Sequence, residues 1–420
     1  MSAISITPAQ ADAFRRAARR FGTPAYVTDG EVLATAARAV TEAFPDPWLR
    51  AFSVKANDVP GVIAAVAAHG FSVNVVSRGE WAAATRAGLP NDRITLEGVG
   101  KTAADLRAAV HAVHSGRPLR WVAIESPEEA ADLGDLAGRV AGQRGRLDVL
   151  YRFNPDVAPE TLPGLAVGAG GSKFGMTEAE IATAIEAGGG PDGPLRSRGI
   201  HLHVGSQLGA VDAWRDAVRR AVAVAALWRG SIADFDTLDL GGGFPVFAVG
   251  EPAPPPDRFA REIPALLDAV PRDRRPSRLA VEPGRFLVAR SGWLVARVLH
   301  VRERGGRQVV LDAGMTELIR PALYGARHAI VALTSLGQPV EHDRTANLEP
   351  SRVEGPICES TDSLGVHDLP PLARGDLVAI ADAGAYAASQ SSTYNGRPRP
   401  PQVLLDTDGT LRLGRRRGTP

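Results

Sequence analysis

Lys55 stands where an apolar run ends. In AFSVKAND, residues 51–54 read as a buried strand, Lys55 follows at its C-terminal end, and Asn57, Asp58 and Pro60 stop it. An ammonium at the mouth of a buried strand is costly unless it reaches water, is paired, or is used covalently. Lysines and arginines number 48, and only Lys55, Lys101 and Lys173 are lysines. Guanidinium stays protonated and is a poor nucleophile, so arginine cannot replace lysine in imine chemistry. Two readings fit the stretch alone: a lysine reaching solvent, and a lysine forming a Schiff base. The second requires a phosphate cradle and a partner for a cofactor ring elsewhere in the chain.

Several strand-end stretches offer those parts. HVGSQ (203–207) carries His203, either a hydrogen-bonded core histidine or a ring that stacks on a planar cofactor. His201 lies two residues earlier and shares its strand face. Gly241, Gly242 and Gly243 form either a strand-to-helix turn or a loop whose N–H groups approach a phosphate. EPGR (282–285) places Glu282 to pair with a protonated pyridine nitrogen and Arg285 to bind a carboxylate; its bland reading is a surface salt bridge. Arg152 and Glu80 carry the same two readings. The single cysteine, Cys358, lies in the polar stretch GPICESTD (355–362), a setting that suits a proton-donating thiol; lone cysteines are otherwise mostly inert. Tyr386 and Tyr394, in GAYAASQSSTYNGRPRPP (384–401), can each hydrogen-bond a phosphate or a substrate.

The elements that position these residues recur along the chain. Eight short apolar runs, at 49–55, 71–77, 94–100, 120–126, 147–155, 199–206, 235–243 and 278–285, alternate with helix-compatible, alanine-rich stretches. The pattern predicts a (β/α)8 barrel, favoured over an open doubly wound sheet because candidate chemistry closes nearly every strand. Asp29 and the serine of SRGEW, Ser77, read as helix caps. The long connection 154–198 holds GLAVGAGGSKFGM and reads as a flap near the mouth, with Lys173 in it. After Arg285 the chain turns β-rich, with a tight hairpin turn at DTDGTL. The expected organisation is a barrel over residues 30–285 and an all-β domain over 286–420, with residues 1–29 packing on the latter.

Net charge is +1 and aromatic content 5%, which argues against a nucleic-acid surface. One cysteine excludes a disulfide framework or a cysteine-based zinc site, and no metal is expected. No signal peptide or membrane-spanning run is read, so the expected setting is cytoplasmic.

SVKAN, VVSRGE, EGVGK, RFNPD, SKFG, HLHVGSQ, LGGGF, EPGR, DAGMTELIRPALYGA, GPICESTD and GAY with SSTYN occur in the order of the fold type III pyridoxal-phosphate decarboxylases. The chain most closely resembles the diaminopimelate decarboxylases, from FGTPAYV near its start to YNGRPRP near its end. That resemblance implies pyridoxal 5'-phosphate carried on Lys55 as an imine, stacked by His203 and paired at its ring nitrogen with Glu282. It implies a phosphate cradle of Ser206, Gly241, Gly242, Gly243 and Tyr386. Arg285, Arg320, Tyr324 and Glu359 would grip the far end of the substrate, with Tyr386 near it. Cys358 would protonate the α-carbon from a second subunit, in a homodimer with shared sites.

The implied reaction is decarboxylation of meso-diaminopimelate to L-lysine. Alternatives are a sister decarboxylase acting on ornithine, lysine, a carboxylated polyamine or a glutamyl conjugate, and a non-catalytic cofactor-binding homologue. Glu282, in place of an arginine, argues against a racemase. The chain departs from the family pattern at Asn74 (usually Asp), Arg78 (usually Gly), Ala387 (usually Gly) and Gln390 (commonly apolar). Asn74, Arg327 and Gln390 are where substrate discrimination is expected.

Overall fold

Alternation with period two decides which way each barrel side chain points. In the computed structural model, which describes residues 4, 6–139, 145–158, 160–161, 168, 171–247, 251–335, 337–340 and 347–419, eight strands close into a barrel. They run Leu49–Ser53, Ser72–Val75, Ile94–Leu96, Trp121–Ile124, Leu147–Phe153, Leu195–Leu202, Thr237–Asp239 and Arg278–Val281. All neighbours pair in parallel, and the ring closes where Leu49 and Arg50 pair with Ala280 and Val281. These are the eight runs read from the sequence.

One parity along each strand packs outward under the helices: Phe52, Val73, Ile94, Val122, Val149, Ile200, Leu238 and Val281 belong to the main core. The other parity faces the lumen. Leu49, Trp121, Leu150 and Ala280 form a small apolar plug there. Two to four residues further along the same parity come Ser53, Glu125, Arg152 and Glu282, so the lumen turns polar towards the C-terminal mouth.

Side-chain caps start the helices that return between strands. Asp29 accepts from the N–H groups of Glu31 and Val32, Ser77 from that of Glu80, and Ser126 from that of Glu129. The connection at 154–198 is less of a loop than its composition suggests. It contains the helix Glu178–Ala187, capped by Thr177, and strand six begins at Leu195 rather than at residue 199. Residues 164–167, 169 and 170 of the glycine-rich segment read as a flap lie outside the described residues. Lys173 is described, its ammonium 5.3 Å from the Phe174 ring centre.

A second, nine-stranded sheet follows the barrel. Its spine is Gly292–Glu303, whose first half pairs with Ala25–Asp29 and Leu377–Ile380 and whose second half pairs with Arg307–Leu311, across an irregularity between Val298 and His300. Ala25–Asp29 thus carries the N-terminus into this sheet, where it also pairs with Gln402–Leu405. Gln402–Leu405 turns back through Asp406 and Gly409 into Leu411–Arg415, the hairpin expected at DTDGTL. Two strands of this sheet escaped the sequence reading, Glu349–Glu354 and Ser363–Leu369. They are largely exposed, so their apolar periodicity is weak.

Candidate active site

At the barrel mouth a cavity of about 430 Å³ is lined by Lys55, Glu97, Arg152, His201, His203, Ser206, Glu282, Arg285, Arg320, Tyr324, Tyr386 and Gln390, among others. Eight residues singled out for cofactor or substrate therefore meet there: Lys55, His203, Ser206, Glu282, Arg285, Arg320, Tyr324 and Tyr386. Arg152 and Gln390 join them.

Lys55 sits in the short turn Val54–Ala56 that continues strand one. The segment 384–389, after strand Leu377–Ile380, fixes that turn. Ser389 Oγ donates to the Lys55 carbonyl at 2.9 Å, the Tyr386 N–H to the Ala56 carbonyl at 2.8 Å, and Asn57 Nδ2 to the Gly384 carbonyl at 3.0 Å. The second sheet therefore sets the floor under Lys55. Tyr386 holds a left-handed backbone (φ 56°) with its ring 4.6 Å from the Arg285 guanidinium carbon.

A buried polar cluster closes one end of the cavity. Asn74 Nδ2 donates to Glu97 Oε2 and to Glu282 Oε1. His201 Nε2 lies 3.4 Å from carboxylate oxygens of both acids. Burial first, and then the Glu282 carboxylate, push Glu97 up to about 8. Burial raises Asp239 well above the carboxylate range and takes His201 down to about 4. His201 is thus a neutral imidazole. Burial, followed by the charge of Lys55, holds His203 well below the ordinary imidazole range.

At the other end two cations share the wall. Arg285 donates from Nε and Nη2 to Ser206 Oγ at 3.2 and 3.1 Å. Burial first, and then the charge of Arg285, bring Arg320 down to about 10. Arg152 pairs with Glu125 at 2.6 Å, both buried, with its guanidinium 4.7 Å from the Phe174 ring centre.

The three glycines do not line the cavity, but they shape its rim. A Cβ on Gly241 would sit 2.2 Å from the Leu202 carbonyl oxygen, and one on Gly243 2.5 Å from that of Gly205; both glycines have left-handed φ. Cys358 and Glu359 lie outside the cavity of their own chain. Cys358 is exposed, and Glu359 accepts from the Tyr394 hydroxyl at 2.8 Å. Glu80 accepts from the Val76 N–H at 2.9 Å, and burial raises it to about 7. Arg78 lines a separate groove with Trp81 and Arg117, and Arg327 is exposed, so of the three discriminating positions only Asn74 and Gln390 are at the site.

Residues 31–289 match the model of the pyridoxal-dependent decarboxylase pyridoxal-binding domain. The chain is 33% identical over 409 residues to the diaminopimelate decarboxylase of Aquifex aeolicus, covering 95% of this chain and 90% of that one. The chain belongs to the diaminopimelate decarboxylase family of pyridoxal-dependent decarboxylases. Another member, the diaminopimelate decarboxylase of Actinosynnema pretiosum, is 37% identical over 96% of this chain and 88% of its own. Among solved structures, the diaminopimelate decarboxylase from Helicobacter pylori complexed with L-lysine superposes with a TM-score of 0.85 at 29% identity, over 97% of each chain.

For a member of this family the residues at the mouth fit pyridoxal phosphate. Lys55 lies on the cavity wall, and the rim glycines let neighbouring strand ends approach more closely than a Cβ would allow. Among the described residues, Asn74 Oδ1, Asp239 Oδ2 and both His201 nitrogens are buried without a hydrogen-bond partner, a polar floor suited to a heteroaromatic ring. The volume suits a ligand-sized molecule. Glu97, His201 and Asp239 were not picked from the sequence as site residues. The available signal was their inward parity on strands three, six and seven, shared with Asn74 and Glu282.

Proposed function

We propose that this chain decarboxylates meso-diaminopimelate to L-lysine, using pyridoxal 5'-phosphate and acting as a cytoplasmic homodimer. Residues 30–285 would hold the cofactor, and 286–420, with 1–29 against them, would close the site. One observation carries the reading: a free lysine, a buried glutamate and a pair of arginines line one cavity.

When bound, pyridoxal phosphate supplies the electron sink for the pair left behind as carbon dioxide departs. Lys55 would anchor the cofactor and Glu282 would keep its ring nitrogen protonated. His203, uncharged, would offer a flat face to the ring. Ser206, Tyr386 and the turn at Gly241, Gly242 and Gly243 would receive the phosphate.

Arg285 and Arg320 repel one another across a partly dry wall, and a carboxylate between them relieves that repulsion. A substrate with a second amino-acid end provides one. With Tyr324, the arginines fix that far end, so the reacting α-carbon is placed by binding at a distance. The support for a shared site is the position of Cys358: exposed on its own chain and away from that chain's cavity. Cys358 of the partner subunit would deliver the Sγ proton that replaces the departed carboxylate, and Glu359 of the partner subunit would meet the distal amine.

The purified protein with pyridoxal phosphate should be offered meso-diaminopimelate, L-ornithine, L-lysine, D-lysine and carboxynorspermidine in parallel. Carbon dioxide is followed and each amine product identified by mass. Lysine from diaminopimelate, with the others near background, is the expected result. Bound cofactor with diaminopimelate untouched would move the protein to a sister decarboxylase.

A further inference from the structure

The helix Arg320–Tyr324 ends at Gly325 in a left-handed conformation, and the chain re-enters the second sheet as strand Ile330–Ala332. That strand pairs with Leu377–Ile380, and the Ala381 N–H donates to the Ala329 carbonyl at 2.9 Å. His328 is held between these anchors, 2% exposed. Its Nδ1 lies 2.9 Å from the Ala381 carbonyl oxygen, and its Nε2 lies 3.0 Å from Arg320 Nη1.

The chemistry of the two partners assigns the ring. A carbonyl oxygen only accepts, so Nδ1 carries the proton. A guanidinium only donates, so Nε2 must offer its lone pair. His328 is therefore a neutral imidazole in a single tautomer, and burial together with the Arg320 charge keeps it so, holding the ring down to about 4. Protonated, it would lose its bond to Arg320 and set two cations side by side.

We propose that His328 is a positioning residue that aims the Arg320 guanidinium at the distal carboxylate of the substrate, and so helps set the preference for a dicarboxylic amino acid. This rests on the reading of Arg320 as part of the distal grip. An arginine side chain has many rotamers, and fixing one Nη atom to a ring that is itself locked to the backbone removes most of that freedom before substrate arrives. The acceptor is uncharged, which leaves the full positive charge of Arg320 for the ligand; a carboxylate in this place would neutralise it.

Two substitutions separate the halves of the device. Asparagine can copy the Nδ1 donor to Ala381 but not the acceptor at Nε2. Glutamine can reach Arg320 with its amide oxygen. In the holoenzyme, with bound-cofactor absorbance and melting temperature as controls for folding, KM for meso-diaminopimelate and the inhibition constant of cadaverine are compared. L-Lysine keeps the distal carboxylate, whereas cadaverine, the five-carbon diamine, lacks it. His328→Asn should raise KM roughly tenfold or more, the scale of a lost charge-assisted hydrogen bond, while the inhibition constant of cadaverine moves far less. His328→Gln should recover most of the loss. KM and the cadaverine constant rising together, or an unchanged KM in His328→Asn, overturns the proposal and leaves the diaminopimelate reading standing. A wild-type enzyme that ignores diaminopimelate overturns both.

Discussion

The Gly242 N–H donates to His203 Nδ1 at 3.2 Å, tying the end of barrel strand six to the end of strand seven. The bond leaves the His203 proton on Nε2 and sets the plane of its ring before any ligand binds. It also explains why glycine serves at 242: a Cβ there would fall 2.1 Å from the Glu282 carbonyl oxygen. The substitution Gly242→Ala should push strand seven off strand eight and lose the bond to His203. The expected result is a lower melting temperature, on the scale of about 1–3 kcal/mol for an overpacked site, together with weaker retention of pyridoxal phosphate. A variant that melts and binds cofactor like the wild type would show that this contact does not position His203.

Glu97 is held up to about 8, by burial and then by Glu282, so at pH 7 it is mostly a protonated acid. The apoprotein should show an infrared carboxylic-acid carbonyl band at pH 7 that disappears in Glu97→Gln. Because the folded value lies above the unfolded one, the stabilisation is full below about pH 4.3 and is lost as pH rises towards 8. Between pH 6.5 and 8 the share from Glu97 is about 2 kcal/mol. Urea titrations of wild type and Glu97→Gln should therefore converge or cross as pH rises; parallel curves over that range would refute this protonation state.

His201 runs the other way. Burial lowers its folded value to about 4, against an unfolded value of about 6.5. Its contribution is present above pH 6.5 and is lost as pH falls to 4, because the unfolded chain binds the proton first. Relative to wild type, His201→Gln should gain about 3 kcal/mol across that interval. A pH-independent difference would place a charged imidazole in the cluster.

Cys358 is exposed and outside the cavity that holds Lys55. Lys55→Ala should lose the visible band of the bound cofactor, whereas Cys358→Ala should keep the band and lose turnover. If the sites are shared in a two-fold dimer, mixing the two dead proteins in equal amounts should restore roughly a quarter of wild-type activity, since half the dimers carry one intact site of two. No recovery after verified subunit exchange would confine catalysis to one chain.

Much of the architecture was legible locally. Short apolar runs with period two located all eight barrel strands, because a strand buried on its outer face needs an apolar residue at every second position. Ser77 and Asp29 marked helix starts because a capping oxygen acts within three residues. Lys55 stood out by composition, in a chain that otherwise uses arginine almost throughout.

What escaped was decided by barrel closure and by the docking of the second sheet. Asn74 meets Glu97 and Glu282 across 23 and 208 positions of sequence, and His328 reads the Ala381 carbonyl across 53. No local pattern encodes such pairings, since each depends on the register in which distant strands settle. The protonation states of Glu97 and His201 follow from the same cause: the sequence names the titratable groups, and only the tertiary structure removes their water and supplies their neighbours.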